Sequence, residues 1–332
     1  METLYPTINP KLIEKITEAE EIAIFGHTNP DGDCVMSQLA VSYMLSSLGK
    51  KCHLFNQGPF NRSDINPYSL YFATEVPDEL VKKNPLVIVV DCSTIDRPGL
   101  IFDKVSTLER IVFDHHSSGE NFCKREFSYI VPESVSTTLV LEQLRKALAI
   151  PLTYDLARFL YIGFCTDTGF YHFLRRSNAE ESLRIVTEYV KEGVEPYEVF
   201  DTLNDGKTLD YYKEISTLVN RTIAIYDGQV LYTYQNHQEA LADSVSDVLY
   251  SQLLTVKGVK VVFFFKEKED CIVVGMRSKK DSKVDVGSFA QSFGGGGHFF
   301  ASGASLKKTL AESITLVTTA IKDLLDTNEI ES

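Results

Sequence analysis

A chain of 332 residues exceeds the size at which one hydrophobic core usually stops growing, so two domains are expected. With 44% hydrophobic and 24% charged residues it has a globular composition, and no run approaches the roughly 18 apolar residues that span a bilayer. A net charge of −13 disfavours a protein that tracks a long polyanion, because each neutralised phosphate needs a Lys or Arg, but short or small anionic substrates stay open.

Residues 1–21 lack a signal-peptide core, which makes the cytoplasm the expected location. Cys34, Cys52, Cys92, Cys123, Cys165 and Cys271 form no C-x-x-C pair and no zinc-finger spacing. Buried free thiols are therefore expected, not a disulfide framework or a structural zinc.

In chain order, residues 12–20 read as a short helix, and the apolar run Glu21-Ile22-Ala23-Ile24-Phe25 reads as a strand. It delivers the loop Gly26-His27-Thr28-Asn29-Pro30-Asp31-Gly32-Asp33-Cys34, after which residues 35–45 have helical apolar spacing, ending near Gly49. Strand then helix is a Rossmann-like beginning. Strands are predicted at 51–56, at 86–92, fully buried by its unbroken β-branched run, and at 110–114. The hydroxyl-rich segment 133–138 opens a helix through Leu148, residues 154–165 form another that runs into Asp167, and residues 178–192 a third. Strands alternating with helices imply a parallel sheet.

Residues 196–218 hold two more helices with no strand between them, so 193–219 is expected to be a helical linker. Beyond it the pattern changes to α+β. Residues 221–226 and 229–235 flank Asp227-Gly228 as a hairpin with a two-residue turn, and a second hairpin pairs 260–266 with 271–277. A helix at 285–292, a glycine loop at 294–297 and a last helix at 310–325 complete a smaller domain.

The chemistry lies where apolar runs end. The H-x-x-x-D-x-D spacing of His27, Asp31 and Asp33 offers donors of the kind that hold manganese, iron, zinc or magnesium. Three later runs also end in such side chains: residues 86–90 into Asp91, 110–113 into Asp114-His115-His116, and 161–165 into Thr166-Asp167-Thr168. Singly, each has a commonplace reading, as a loop histidine, a turn aspartate or a strand-end cap. Together, and in this order, they point to one metal site.

At these four signatures the chain resembles the DHH phosphoesterase superfamily, and Gly294-Gly295-Gly296-Gly297-His298 resembles the motif of the DHH-associated C-terminal domain. The resemblance implies a DHH domain over 1–192 and a DHH-associated, substrate-binding domain over 220–332. It implies two divalent ions, manganese preferred, one on His27, Asp31 and Asp91, the other on Asp33, Asp91, His115 and Asp167, with Asp91 as the bridge. Two ions about 3.5 to 4 Å apart can share a hydroxide and clamp both ends of an in-line displacement. His116 is implied to face the substrate phosphate, and Asp114 to orient the site without binding metal.

Arg97 sits where relatives carry an arginine, and Arg277, Ser278, Gly295, Gly296, Gly297 and His298 are implied to hold nucleotide and terminal phosphate across a cleft from the ions. Lys279, Lys280 and Lys283 add positive potential there or form a solvated face. Two positions depart from the pattern: Met36 replaces a frequent glycine, and His172 stands where an arginine is common, leaving the role of His172 open. His53 and His237 match no motif and read as ordinary histidines.

The compact form is similar to the nanoRNase/pAp-phosphatase group, and not to family II pyrophosphatases or the longer RecJ exonucleases. That group cleaves short oligoribonucleotides, linear di-AMP (pApA) or 3′-phosphoadenosine 5′-phosphate to nucleoside monophosphates, and some relatives cleave cyclic di-AMP. The resemblance also implies a homodimer. A nucleotide-sensing module without turnover is the alternative, and the intact ligand set argues against it.

Overall fold

The computed structural model describes residues 4–117, 119, 121–239 and 245–330. The chain divides into two compact units, Met1–Gly206 and Lys207–Ser332, and the division falls inside the segment expected as a linker.

In the first unit, β1 (Glu21–Phe25), β2 (Lys51–Phe55), β3 (Leu86–Val90), β4 (Arg110–Asp114) and β5 (Ser128–Ile130) form one parallel sheet in the order β2-β1-β3-β4-β5. Both faces are covered. Ile22, Ile24, Ile88 and Ile111 turn to one core, and Ala23, Phe25, Val89 and Val112 to the other. All of β3 is buried, as its β-branched run predicts for a central parallel strand. Strand β5 was not expected from the sequence, since three residues carry too little periodicity to read.

The helices of this unit are α1 (Pro10–Glu18), α2 (Gly32–Ser47), α3 (Asp78–Lys82), α4 (Thr137–Ala147), α5 (Tyr154–Thr168), α6 (Arg176–Lys191) and α7 (Pro196–Asn204). Helix α2 is apolar almost all round and is buried against α4 and α5, with Met36 in its core. It begins at Gly32, so Asp33 and Cys34 stand in its first turn and not in a loop. Among the described residues no helix is long and apolar enough to cross a membrane.

The second unit begins with α8 (Leu209–Asn220), which packs Tyr211, Ile215 and Leu218 into this unit's core. Its sheet holds β6 (Ile223–Ile225), β7 (Val230–Gln235), β8 (Val261–Glu267), β9 (Ile272–Ser278), β10 (Gly296–His298) and β11 (Ala301–Leu306), in the order β10-β11-β9-β8-β7-β6. Only β7 and β8 among these neighbours run parallel, joined through α9 (Ser246–Leu253); α10 (Val286–Gln291) and α11 (Leu310–Ile330) complete the unit.

Two expectations are corrected by this sheet. Ile225 pairs with Val230, which leaves the four residues 226–229 in the first turn, with positive φ at Tyr226, Asp227 and Gly228, and not a two-residue Asp-Gly turn. The glycine stretch is partly strand, because Gly296–His298 pairs with β11. Strand β11 itself was not foreseen: Ala-Ser-Gly-Ala-Ser-Leu has no β-branched or aromatic residue, and its pairing with β9 makes it a strand.

Candidate metal centre

The sheet delivers the site. In open parallel sheets ligands bind beyond the carboxyl ends of strands, where the strand order reverses. Here β1 neighbours β2 on one side and β3 on the other, and the chain leaving β1, β3 and β4 carries His27, Asp91 and His115-His116. Asp31 is the N-cap of α2, accepting the Cys34 N–H at 3.0 Å. Asp167 lies in the last turn of α5, which Gly169 ends in the left-handed conformation at φ 52°.

The loops are tied together through their backbones. Thr28 N–H donates to the Arg97 carbonyl at 2.8 Å, and Asp91 N–H to the Phe113 carbonyl at 3.0 Å. Beneath the first loop, buried Gln38 donates to the carbonyls of Ile24 and Phe55 at 3.2 and 2.9 Å, and Asn56 donates to the His27 carbonyl at 3.2 Å. Asp91 itself holds φ at 57°, a left-handed backbone that aspartate tolerates better than most residues.

Two groups of donors converge on Asp91. His27 Nε2 lies 3.8 Å from Asp31 Oδ1 and 3.5 Å from Asp91 Oδ2. His115 Nε2 lies 3.0 Å from Asp167 Oδ2 and 3.7 Å from Asp91 Oδ1. Both rings are oriented from their other nitrogen: Nδ1–H of His27 donates to the Thr28 carbonyl at 2.9 Å, and that of His115 to the Ser134 carbonyl at 3.3 Å. Nε2 of each ring is thereby the atom turned to the carboxylates, the tautomer a metal ligand needs. Asp33, His115 and Asp167 bring one donor atom each within 4.8 Å of one another.

Asp33 is fully buried, and the start of α4 holds it. Thr137 N–H donates to Oδ2 at 2.6 Å, while Thr138 donates to Oδ1 from its N–H at 3.1 Å and from its hydroxyl at 2.8 Å. Gly163 of α5 passes close by. A Cβ there would stand 2.7 Å from Asp33 Oδ1 and 2.8 Å from Thr138 Oγ1, so only glycine fits.

Packing several carboxylates together has an electrostatic cost. Burial, then Asp167 and Asp91, push the Asp33 carboxyl well above its usual range, and burial raises Asp167 in spite of His115. Burial also works against Asp91, but His27, His115 and His116 around it hold its carboxyl below that range. Burial opposes charging His27 and His115, but Cys34, Asp31 and Asp91 outweigh it at His27, and Asp167, Asp91 and Asp33 at His115, so both rings are raised. Carboxylates gathered around two imidazoles concentrate negative charge where a divalent cation would be held. The nitrogen and oxygen donors, with Nε2 of both rings turned to the carboxylates, fit such ions. Burial pushes the Cys34 thiol up to about 11, and its sulfur accepts the His27 N–H at 3.2 Å.

His116 lies beside the two groups, and Asp91, His115 and His116 also bring one donor atom each within 4.8 Å of one another. The His116 Nδ1 lies 2.7 Å from Asp114 Oδ1 and 3.8 Å from Asp91 Oδ1. Burial opposes its protonation, but Asp114 and Asp91 raise it.

Of the other residues singled out from sequence, Arg97 is exposed on the loop after β3. His172 is exposed, its ring edge-on to Phe173 at 4.9 Å, and His53 Nε2 pairs with Glu21 Oε2 at 2.8 Å. His237 sits in a short helical turn. In the second unit, Arg277 lies over the Tyr250 ring at 4.6 Å and donates to the Met276 carbonyl at 3.0 Å. Ser278 is buried, and its hydroxyl donates to the Val284 carbonyl at 2.7 Å. Gly296 and Gly297 belong to β10 and Gly295 precedes it; the side chain of His298 lies outside the described residues. Lys279 is half-buried, and Lys280 and Lys283 are exposed.

Sequence reasoning missed Thr137, Thr138 and Gly163. The two threonines were legible as capping hydroxyls, and Ser136 does cap α4 by accepting the Leu139 N–H at 3.3 Å. Their bonds to Asp33 and Asp91 join distant parts of the chain and leave no local signature.

A family model described as the DHH family, N-terminal domain, matches residues 21–164, and one for the DHHA1 domain matches residues 227–327. The bifunctional oligoribonuclease and PAP phosphatase NrnA of Thermus thermophilus is 27% identical over 300 residues, covering 90% of this chain and 88% of that protein. An exopolyphosphatase-related protein from Bacteroides fragilis aligns with a TM-score of 0.88 at 22% identity, over 99% of this chain and 100% of that one. RecJ from Thermus thermophilus, in complex with Mn2+, aligns at 0.57 and 15% identity, over 96% of this chain and 55% of its own. These two likenesses are of fold. With one model on each unit and most of the chain matched between them, the chain belongs to the DHH family of phosphoesterases and carries the DHHA1 domain as its second unit.

Proposed function

We propose that this phosphoesterase hydrolyses short oligoribonucleotides, linear di-AMP (pApA) or 3′-phosphoadenosine 5′-phosphate to nucleoside monophosphates, with two divalent ions, manganese foremost. The observation that carries the reading is the convergence of two imidazole Nε2 atoms on opposite oxygens of one carboxylate, His27 toward Asp91 Oδ2 and His115 toward Asp91 Oδ1. His27, Asp31 and Asp91 would hold one ion, and Asp33, Asp91, His115 and Asp167 the other, with Asp91 shared. Two such ions supply charge neutralisation at a phosphoryl group and a water acidified enough to attack near neutral pH.

The chain's own groups do the rest. His116, anchored at Nδ1 by Asp114, keeps Nε2 free to donate a hydrogen bond to a non-bridging or leaving oxygen of the phosphate. Arg97, Arg277, the backbone of Gly295, Gly296 and Gly297, and His298 would bind the remainder of the substrate. Ser278, spent on Val284, would serve by fixing the strand end that carries Arg277. A net charge of −13 suits substrates of few phosphates, and the activity named for the Thermus relative agrees. Manganese is supported by the RecJ complex.

The test is a panel of pApA, 3′-phosphoadenosine 5′-phosphate, cyclic di-AMP and short RNA, each incubated with Mn2+ and with EDTA. Release of AMP from pApA in Mn2+ and its absence in EDTA is expected. Binding without hydrolysis across the panel would favour a nucleotide-sensing module instead.

A further inference from the structure

Thr137 is bonded to two carboxylates at once. Its N–H donates to Asp33 Oδ2 at 2.6 Å, and its hydroxyl donates to Asp91 Oδ1 at 2.8 Å. The two acids reach it from different elements, Asp33 from the first turn of α2 and Asp91 from the end of β3. All three residues are buried.

An ionised carboxylate offers about four lone-pair sites. Asp33 spends three on Thr137 and Thr138, two on Oδ1 and one on Oδ2. Its remaining capacity is on Oδ2. Asp91 spends one site of Oδ1 on the Thr137 hydroxyl, which leaves Oδ2 to face His27 at 3.5 Å and the rest of Oδ1 to face His115 at 3.7 Å. One side chain thus selects the rotation of Asp91 that directs an oxygen to each histidine, and its backbone fixes Asp33 relative to it.

We propose that Thr137 is a positioning residue that sets the spacing between the two ion sites, by holding Asp91 through its hydroxyl and Asp33 through its N–H. The proposal rests on the reading of Asp33 and Asp91 as metal ligands. Thr137→Val keeps the shape of the side chain and the N–H but removes the hydroxyl; Thr137→Ser keeps both donors.

The experiment titrates metal-free protein with Mn2+ by calorimetry, alongside kcat and KM for pApA and melting in EDTA. The valine variant is expected to bind Mn2+ about 10- to 100-fold more weakly, the usual effect of losing a hydrogen bond that orients a ligand, with kcat reduced and KM little changed. Serine should restore both. A valine variant with native Mn2+ affinity, or a serine variant as impaired as valine, would overturn the proposal. If valine prevents cooperative melting, Thr137→Ala against Thr137→Ser decides by the same split. A native chain that binds no Mn2+ would overturn the metal-site reading and this proposal with it, whereas native binding with an unaffected valine variant overturns this proposal alone.

Discussion

His116 Nδ1 lies 2.7 Å from Asp114 Oδ1, and the same oxygen accepts the His115 N–H at 2.8 Å. Asp114 therefore orients one histidine by its ring and the other by its backbone. His116→Ala should leave Mn2+ bound and lower kcat by about 10²- to 10⁴-fold, the range for a positioned proton donor. His115→Ala should lower Mn2+ content. Metal analysis of the two purified variants, with kcat at saturating Mn2+, separates the roles. Equal loss of metal from both would show that they are misassigned.

Gly163→Ala should damage the site from outside the ligand set. Its Cβ would press on Asp33 Oδ1 and Thr138, both buried, with no solvent to move into. Overpacking of this kind costs about 1 to 3 kcal/mol, and here it displaces the group that fixes Asp33. A lower melting temperature in EDTA together with weaker Mn2+ binding is expected. A variant that melts lower but binds Mn2+ like the native chain would show that α5 can shift without moving Asp33.

Asp91→Asn should keep the fold and abolish hydrolysis, because a neutral amide cannot balance two divalent ions. The substitution is nearly isosteric, and its amide oxygen can still accept from Thr137. Circular dichroism and AMP release from pApA at matched metal content check this. Near-normal turnover would remove Asp91 from the role of shared ligand.

Arg277→Ala should weaken nucleotide binding by about 2 to 5 kcal/mol if the guanidinium pairs with a desolvated phosphate. That is about thirtyfold or more in dissociation constant, at about 1.4 kcal/mol per decade. Mn2+ affinity should not change. Removing the Arg277 head also uncovers the Tyr250 ring it lies over, so Arg277→Lys is a useful companion: it keeps charge but loses the planar fork. Unchanged affinity for pApA in both variants would place the phosphate grip elsewhere.

What could be read from sequence follows from how local the signal is. His27, Asp91, Asp114, His115 and His116 stand at or just beyond the ends of apolar strand runs and Asp31 caps the helix that follows the first of them, so motif and element were visible together. Asp33 was found as a motif letter, but its place inside α2 and its bonds to Thr137 and Thr138, 104 and 105 residues away, were not. Gly163 looked like any helix glycine because its requirement comes from a neighbouring element. In the second unit β8 and β9 were legible from their Val, Ile and Phe residues, while β11, built from small residues, exists by pairing and could not be read in isolation.

The claim that the site serves short nucleotides is tested most directly by kcat/KM for oligoribonucleotides from two to about twenty residues long, at fixed Mn2+ and two salt concentrations. A net charge of −13 gives each added phosphate little to bind, so efficiency should be greatest at about two to five nucleotides and the salt slope should correspond to only a few phosphates. Efficiency that rises steadily with length, with a salt slope that steepens alongside it, would contradict the account and make the protein a nuclease of long chains.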